Sequence, residues 1–206
     1  MFIVIEGCDG TGKTTQTEML RDWFVEQKRA CLLIQEPGTT QLGRELRKLL
    51  KDASMPMQPL TQTLLFAAAR AETSKLIAEH LSLGGVVIAD RWHLSTLVYQ
   101  GEVQGVPLST VMAILSMADL NLRPDLTVLL DIDPAIAAKR RAAEGTDVTK
   151  DRFEAEGLVF QQRLRKAYLD LSVHVPNLEI MHVDHCSKTS LHNEILGNVD
   201  SFLRDR

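Results

Sequence analysis

The stretch Phe2-Ile3-Val4-Ile5-Glu6-Gly7-Cys8-Asp9-Gly10-Thr11-Gly12-Lys13-Thr14-Thr15 leaves this chain few ways to fold. An apolar run feeds straight into Gly7, and Gly12-Lys13-Thr14 opens a polar, helix-forming segment. In that strand–loop–helix setting, G-x-x-x-x-G-K-[ST] is a phosphate cradle. Gly7, Gly10 and Gly12 let the backbone turn so that successive N–H groups point inward at an anion. The helix behind them presents its unpaired N-terminal amides and the positive end of its dipole. Lys13 adds a point charge for the outer phosphates, and the Thr14 hydroxyl is of the right kind to ligate Mg²⁺. A glycine-rich turn beside a surface lysine would not need the apolar run in front. The reading is a loop over residues 7–15 that binds a nucleoside triphosphate.

With 206 residues the chain has room for one α/β domain over 1–206, and no composition break marks a second. Its net charge of −4 argues against a broad nucleic-acid footprint, so an anionic ligand must be held by locally clustered arginines. The three cysteines, Cys8, Cys31 and Cys186, are odd in number and lack C-x-x-C spacing, which argues against a disulfide framework or a zinc site. There is no basic region before a long apolar stretch at the start, and no run of membrane-spanning length. The expectation is a cytoplasmic protein with no membrane partner.

Apolar runs at 2–6, 31–34, 86–89, 126–131 and 178–183 alternate with helical patterns, which implies a parallel sheet covered on both faces. The helix from Lys13 buries Met19, Leu20, Trp23 and Phe24, and the helix after Gln41 turns Leu42, Leu46, Leu49 and Leu50 inward. On the helix over 60–82, Phe66 and Arg70 are four apart and share a side. The third strand delivers Asp90-Arg91 at its carboxyl end, where ligands of open α/β sheets bind. A further helical stretch carries Ser95, Thr96, Tyr99 and Gln100. Residues 144–151 are polar with few apolar anchors, and form the centre of an expected lid over about 141–153. The following helix places Phe153, Phe160, Leu164, Tyr168 and Leu171 on one side.

A phosphate cradle alone does not choose among kinases, GTPases and motor ATPases. The guanine-reading N/T-K-x-D segment of GTPases is missing, and the chain is short for a motor. The ordered set Gly7–Thr15, Glu36-Pro37-Gly38, Phe66-Ala67-Ala68-Ala69-Arg70, Asp90-Arg91 with Ser95-Thr96 and Tyr99-Gln100-Gly101, Arg123-Pro124-Asp125-Leu126 and Asp151-Arg152-Phe153-Glu154 resembles the bacterial-type thymidylate kinases. The likeness extends from residue 2 to about 172. It implies a P-loop three-layer fold with a five-stranded parallel sheet, transfer of the γ-phosphoryl group of ATP to dTMP, and commonly a homodimer.

The resemblance also implies roles. Phe66 would stack on thymine, Arg70 would meet a base carbonyl, and Thr96 and Gln100 would lie near its other polar edge. Arg47 and Arg91 would hold the dTMP phosphate beside Glu36, a task suited to planar bidentate donors. Tyr99 would crowd the sugar 2′ position, and Asp9 would meet the 3′-hydroxyl and orient an arginine. Asp90 and Thr14 would serve Mg²⁺, and Arg140 would lie against adenine. Taken singly, Phe66 and Tyr99 also read as core residues, Arg47 and Arg70 as solvated charges, and Asp90-Arg91 as an ion pair. No catalytic histidine stands out, and none is needed, because a phosphate monoester is largely deprotonated at neutral pH.

The chain departs from the family at several points. Gly10 stands where some members carry a loop arginine, and Glu144 stands before Gly145 where others carry a lid arginine. Arg152, Arg141 and Lys150 are the candidates for that positive charge, Arg152 first. Thr39 replaces a second glycine after Pro37 and would be strained at positive φ, so the turn is expected to differ locally. Trp92 occupies the position of a smaller ring, which suggests a reshaped pocket rim and leaves room for another 5-substituted deoxynucleotide as substrate. A nucleotide-switched ATPase is the reading from another class. Cys8 in the loop is either an activated thiolate or an inert small residue.

Overall fold

The computed structural model describes residues 1–143 and 157–204. Five strands, β1 (Phe2–Gly7), β2 (Cys31–Gln35), β3 (Val86–Asp90), β4 (Leu126–Asp131) and β5 (Leu178–His182), form one parallel sheet in the order β2-β3-β1-β4-β5. Period-two geometry explains why the central strands are apolar almost throughout. Ile3 and Ile5 of β1, with Val86 and Ile88 of β3, face α1 (Lys13–Glu26) and α8 (Lys188–Arg204), where Leu20, Phe24, Leu191, Ile195 and Val199 complete one core. Phe2, Val4, Val87 and Ala89 face the other way, towards Ile77 of α3 (Pro59–Ser82) and Trp92.

A third cluster fills the far half of that second face. Leu94 of α4 (His93–Thr96), Leu97 and Val98 of a π-helix over Leu97–Val103, and Val111 and Leu115 of α5 (Leu108–Ala118) pack on Leu129 of β4. Leu164, Tyr168 and Leu171 of α7 (Leu158–Ser172) close it. Phe153, expected on the same helix face, lies outside the described residues, as do Lys150, Arg152 and most of the expected lid. The lid's first residues instead belong to α6 (Pro134–Ala143).

Helix α2 (Gln41–Lys51) corrects one expectation. The Thr40 hydroxyl accepts from Gly43 N at 2.9 Å and caps the helix, while Lys48 and Lys51 in the last turn suit its dipole. This start places Leu42 in the first turn, 47% exposed, while Leu50 is buried. Leu46 and Leu49 are only half-buried. The turn before the helix has the local arrangement expected, which spares Thr39 a positive φ. Gly38 takes the positive φ of 142° and Thr39 does not. Instead, the Thr39 hydroxyl accepts from Gln35 N at 2.9 Å and closes the turn.

Two charged clusters tie the helices to strand ends. Asp131, ending β4, is gripped by Arg165 of α7 at 2.6 and 2.8 Å and lies 2.9 Å from His182 Nδ1. Asp119, just past α5, lies 2.9 Å from His93 Nε2 and takes Arg123 at 3.0 Å.

Candidate active site

The carboxyl ends of β1 and β3 are adjacent, with Ile5 and Gln35 both in register with Asp90. Everything chemical gathers at that edge, as an open α/β sheet with this strand order requires. Gly7 leaves β1 at φ 143°, where a Cβ would meet the Leu130 carbonyl at 2.5 Å, so the loop starts only because this residue has no side chain. Lys13 Nζ and Thr11 Oγ1 both donate to the Cys8 carbonyl, at 2.8 and 3.0 Å, and fix the loop from inside. No acidic residue of α1 itself stands in its first turn. A cavity of about 730 Å³ opens in front, lined by Asp9, Gly10, Thr11, Gly12, Lys13, Thr14 and Thr15, with Asp90, Arg140, Arg141 and Cys186.

Across Asp9 and Arg91 lies a smaller cavity of about 140 Å³, lined by Glu36, Arg47, Phe66, Arg70, Trp92, Thr96, Tyr99 and Gln100. The chain thus carries two pockets side by side, with Asp9, Glu36, Arg47, Lys51 and Arg91 bordering both. Asp9 and Arg91 form a close ion pair between them. Burial works to raise the Asp9 pKa, but Arg91, Lys13 and Arg141 outweigh it and hold the carboxyl below its usual value. Burial and then the neighbouring Arg91 push the Lys13 ammonium down, opposed by Asp9 and Asp90.

Arg91 is held from several directions. Its Nη1 donates to the Gly7 carbonyl at 2.9 Å, to Ser95 Oγ at 3.1 Å and to Tyr168 Oη at 2.6 Å. The guanidinium lies 5.6 Å from the Tyr99 ring centre. Its backbone takes φ 76°, a left-handed conformation rare for a side chain of this size. What holds that turn is Glu6, fully buried in β1, whose Oε1 accepts from Trp92 N at 2.8 Å and from Ser95 N at 3.1 Å. Its other oxygen accepts from Ser95 Oγ at 2.5 Å. Glu6, Ser95 and Tyr168 are the network that sequence reasoning missed as such. One signal was present: a lone carboxylate inside a covered apolar strand needs partners.

Arg70 is buried and almost fully committed. Its Nε donates to Glu36 Oε2 at 2.7 Å and its Nη2 to the Trp92 carbonyl at 3.0 Å. Burial pushes the Glu36 pKa up, and the Arg70 charge opposes it. Arg47 donates to the Pro37 carbonyl at 2.9 Å and reaches the same cavity from α2. Trp92 corrects the expectation of a reshaped rim. It is 1% exposed and packs edge-on to Phe2 beneath the pocket, so it forms floor, not rim. Cys8 decides between its two readings in favour of the inert residue. Its side chain turns into the core with Leu94 and Leu97, and burial pushes the thiol up to about 11, against Lys13 and Arg91. An activated loop thiolate is excluded by that placement.

Around the larger cavity, Thr14 Oγ1 donates to Asp90 Oδ2 at 2.8 Å, an all-oxygen pair beside the phosphate loop. Arg140 donates to the Val183 and Asp184 carbonyls at 2.6 and 2.9 Å, and the stem of Arg141 lies 3.2 Å from where a Gly10 Cβ would be. Comparison with known proteins shows the family of the chain. The thymidylate kinase family model matches residues 5–195. This chain belongs to the thymidylate kinase family. The Carboxydothermus hydrogenoformans thymidylate kinase is 40% identical over 172 residues, covering 83% of each chain. The Gloeobacter violaceus thymidylate kinase is 38% identical over 207 residues, covering all of this chain and 97% of its own. The Symbiobacterium thermophilum thymidylate kinase is 41% identical over 174 residues, covering 84% of this chain and 79% of its own. The matched span contains the motifs from Gly7 to Asp125, and the five-stranded parallel sheet agrees with the family's fold.

Proposed function

We propose that this thymidylate kinase family member transfers the γ-phosphoryl group of ATP to dTMP, giving ADP and dTDP. The observation that carries the proposal is the pair of adjoining pockets, one built on an anion-binding loop and the other on an aromatic ring with the buried Arg70 and the half-buried Arg47 and Arg91. ATP would lie in the larger, its phosphates on the amides of 7–15 and on Lys13, its adenine towards Arg140. In the smaller, Phe66 would stack on thymine, Arg70, Thr96 and Gln100 would meet its polar edge, and Tyr99 would crowd the sugar. Arg47 and Arg91, with Glu36 beside them, would hold the dTMP phosphate, and Asp9 would meet the 3′-hydroxyl while orienting Arg91.

A dTMP phosphate oxygen forms the new bond to the γ-phosphorus as the bond to the β–γ bridging oxygen breaks, and the electron pair leaves with ADP. The attacking oxygen is already largely deprotonated, so the residues need only align the groups and offset charge on the transferred phosphoryl. Lys13, Arg91 and Arg141 are the described cations for that work, and Arg152 is the candidate outside the described residues. Thr14 and Asp90 would offer hard oxygen ligands that suit Mg²⁺. When bound, that ion would neutralise phosphate charge.

We also place the protein in the cytoplasm as a homodimer. No helix among the described residues is long and apolar enough to cross a membrane, and α2 and α3 expose Leu42, Leu60 and Leu64. The test of function is ADP release from Mg-ATP with a panel of nucleoside monophosphates. The expected result is turnover with dTMP well above dUMP, dCMP and dGMP. Slow hydrolysis indifferent to dTMP would overturn it.

A further inference from the structure

Arg70 reaches the smaller cavity with its freedom already spent. Glu36 holds Nε at 2.7 Å, and the Trp92 carbonyl holds Nη2 at 3.0 Å. The guanidinium carbon also lies 4.6 Å from the centre of the Trp92 ring. Nη1 is the one nitrogen of this group without a partner among the described residues, although it is buried. The Trp92 ring is itself clamped, edge-on to Phe2 at 5.4 Å and stacked on His93 at 5.4 Å with planes 14° apart. A ring fixed in this way is a surface against which the guanidinium cannot tilt.

We propose that Trp92 is a positioning residue, fixing Arg70 so that Nη1 alone faces the base and the site selects a pyrimidine with oxygen at ring position 4 over one with an amino group there. The proposal rests on the reading of Arg70 as the contact to a base carbonyl. The physical reason lies in what a mobile arginine could do instead. A guanidinium has donors only, so facing an amino group it would be left unpaired. A free side chain escapes by swinging aside, whereas one held on three sides pays the full desolvation loss. Rigidity therefore converts a contact into a rejection of the wrong base.

The test exploits the two tryptophans of the chain. With Trp23→Phe, Trp92 is the lone tryptophan and can be replaced biosynthetically by mono-, di- and trifluorinated tryptophan. Fluorine drains the ring's electron density at nearly constant shape, so the fold is kept where Trp92→Met would threaten it. Steady-state kinetics are measured with dTMP and with 5-methyl-dCMP, which carries the amino group at position 4 and lacks the N3 proton. The expected result is a stepwise rise in KM for dTMP, totalling about 3–30-fold, the range cation–π contacts span from exposed to desolvated settings. The kcat/KM preference for dTMP over 5-methyl-dCMP falls alongside, while KM for ATP and kcat at saturating dTMP stay flat. A KM indifferent to fluorination, or one moving equally for both nucleotides, overturns the role of Trp92. Arg70→Met is measured in parallel. If it abolishes the preference while fluorination does nothing, Trp92 is excluded and the base contact stands. If it leaves the preference intact, the base contact itself is wrong.

Discussion

Tyr168 lies 77 residues beyond Arg91 in the chain, yet its hydroxyl takes Arg91 Nη1 at 2.6 Å and sits 2.8 Å from Ser95 Oγ. Losing that hydroxyl leaves a half-buried cation with one acceptor fewer. Tyr168→Phe is expected to lower stability by about 1–2 kcal/mol in urea unfolding. It should also raise KM for dTMP several-fold more than KM for ATP in steady-state kinetics. Equal effects on both constants would detach Tyr168 from the smaller pocket. Cys8 makes a second expectation at this scale. With its thiol at about 11 and packed on Leu94 and Leu97, limited iodoacetamide treatment at pH 8 should label it later than the half-exposed Cys186. Peptide mapping that found Cys8 labelled first would contradict its placement. The placement of residues set by local spacing, such as Lys13 and Thr14 beside the larger cavity, was legible in the sequence. Glu6, Ser95 and Tyr168 were not recognised as one network, because nothing local says which distant groups a buried carboxylate will meet.

Among the elements, the junction of β1 with the phosphate loop is the least tolerant. Gly7→Ala forces a Cβ to within 2.5 Å of the Leu130 carbonyl at φ 143°. The expected cost is about 2–4 kcal/mol, seen in thermal or chemical unfolding, together with weakened ATP binding. The tie between α4 and α5 sets a pH limit. Burial works to raise the Asp119 pKa, but His93, the Asn121 amide and Arg123 bring it down to about 2. A carboxyl depressed in the fold contributes stability above its unfolded value of 3.8 and loses it as pH falls towards 2. Burial also lowers the His93 pKa, against the pull of Asp119, so any loss from that ring begins below its ordinary value of 6.5. Asp119→Asn should therefore be less stable at pH 7 and show a shallower loss between pH 4 and 2, checked by urea unfolding across that range. An unchanged acid slope would remove Asp119 from the account. The strands were readable because two-sided burial makes them continuous apolar runs. Leu42 misled because a helix's start, set here by the Thr40 cap, decides which way its first turn faces.

For the whole molecule, sedimentation at micromolar concentration should give twice the 23.0 kDa of one chain. Leu64→Glu, at a site 52% exposed on α3, should give the single chain with its melting temperature little changed. A wild-type protein sedimenting as one chain would end the dimer proposal. The order of motifs was enough to expect two anion-holding pockets at one edge of the sheet. How closely they adjoin was not, since Asp9 and Arg91 meet only after β3 has inserted beside β1. That meeting has a lasting consequence. Arg91 occupies a backbone well that disfavours any residue with a side chain by about 1–2 kcal/mol. A glycine there would relax the turn but take from the half-buried Asp9 its closest cation, leaving Lys13 at 3.8 Å. Selection for heat tolerance alone would push on this position and find it closed, so hardier descendants of this chain must gain their stability elsewhere.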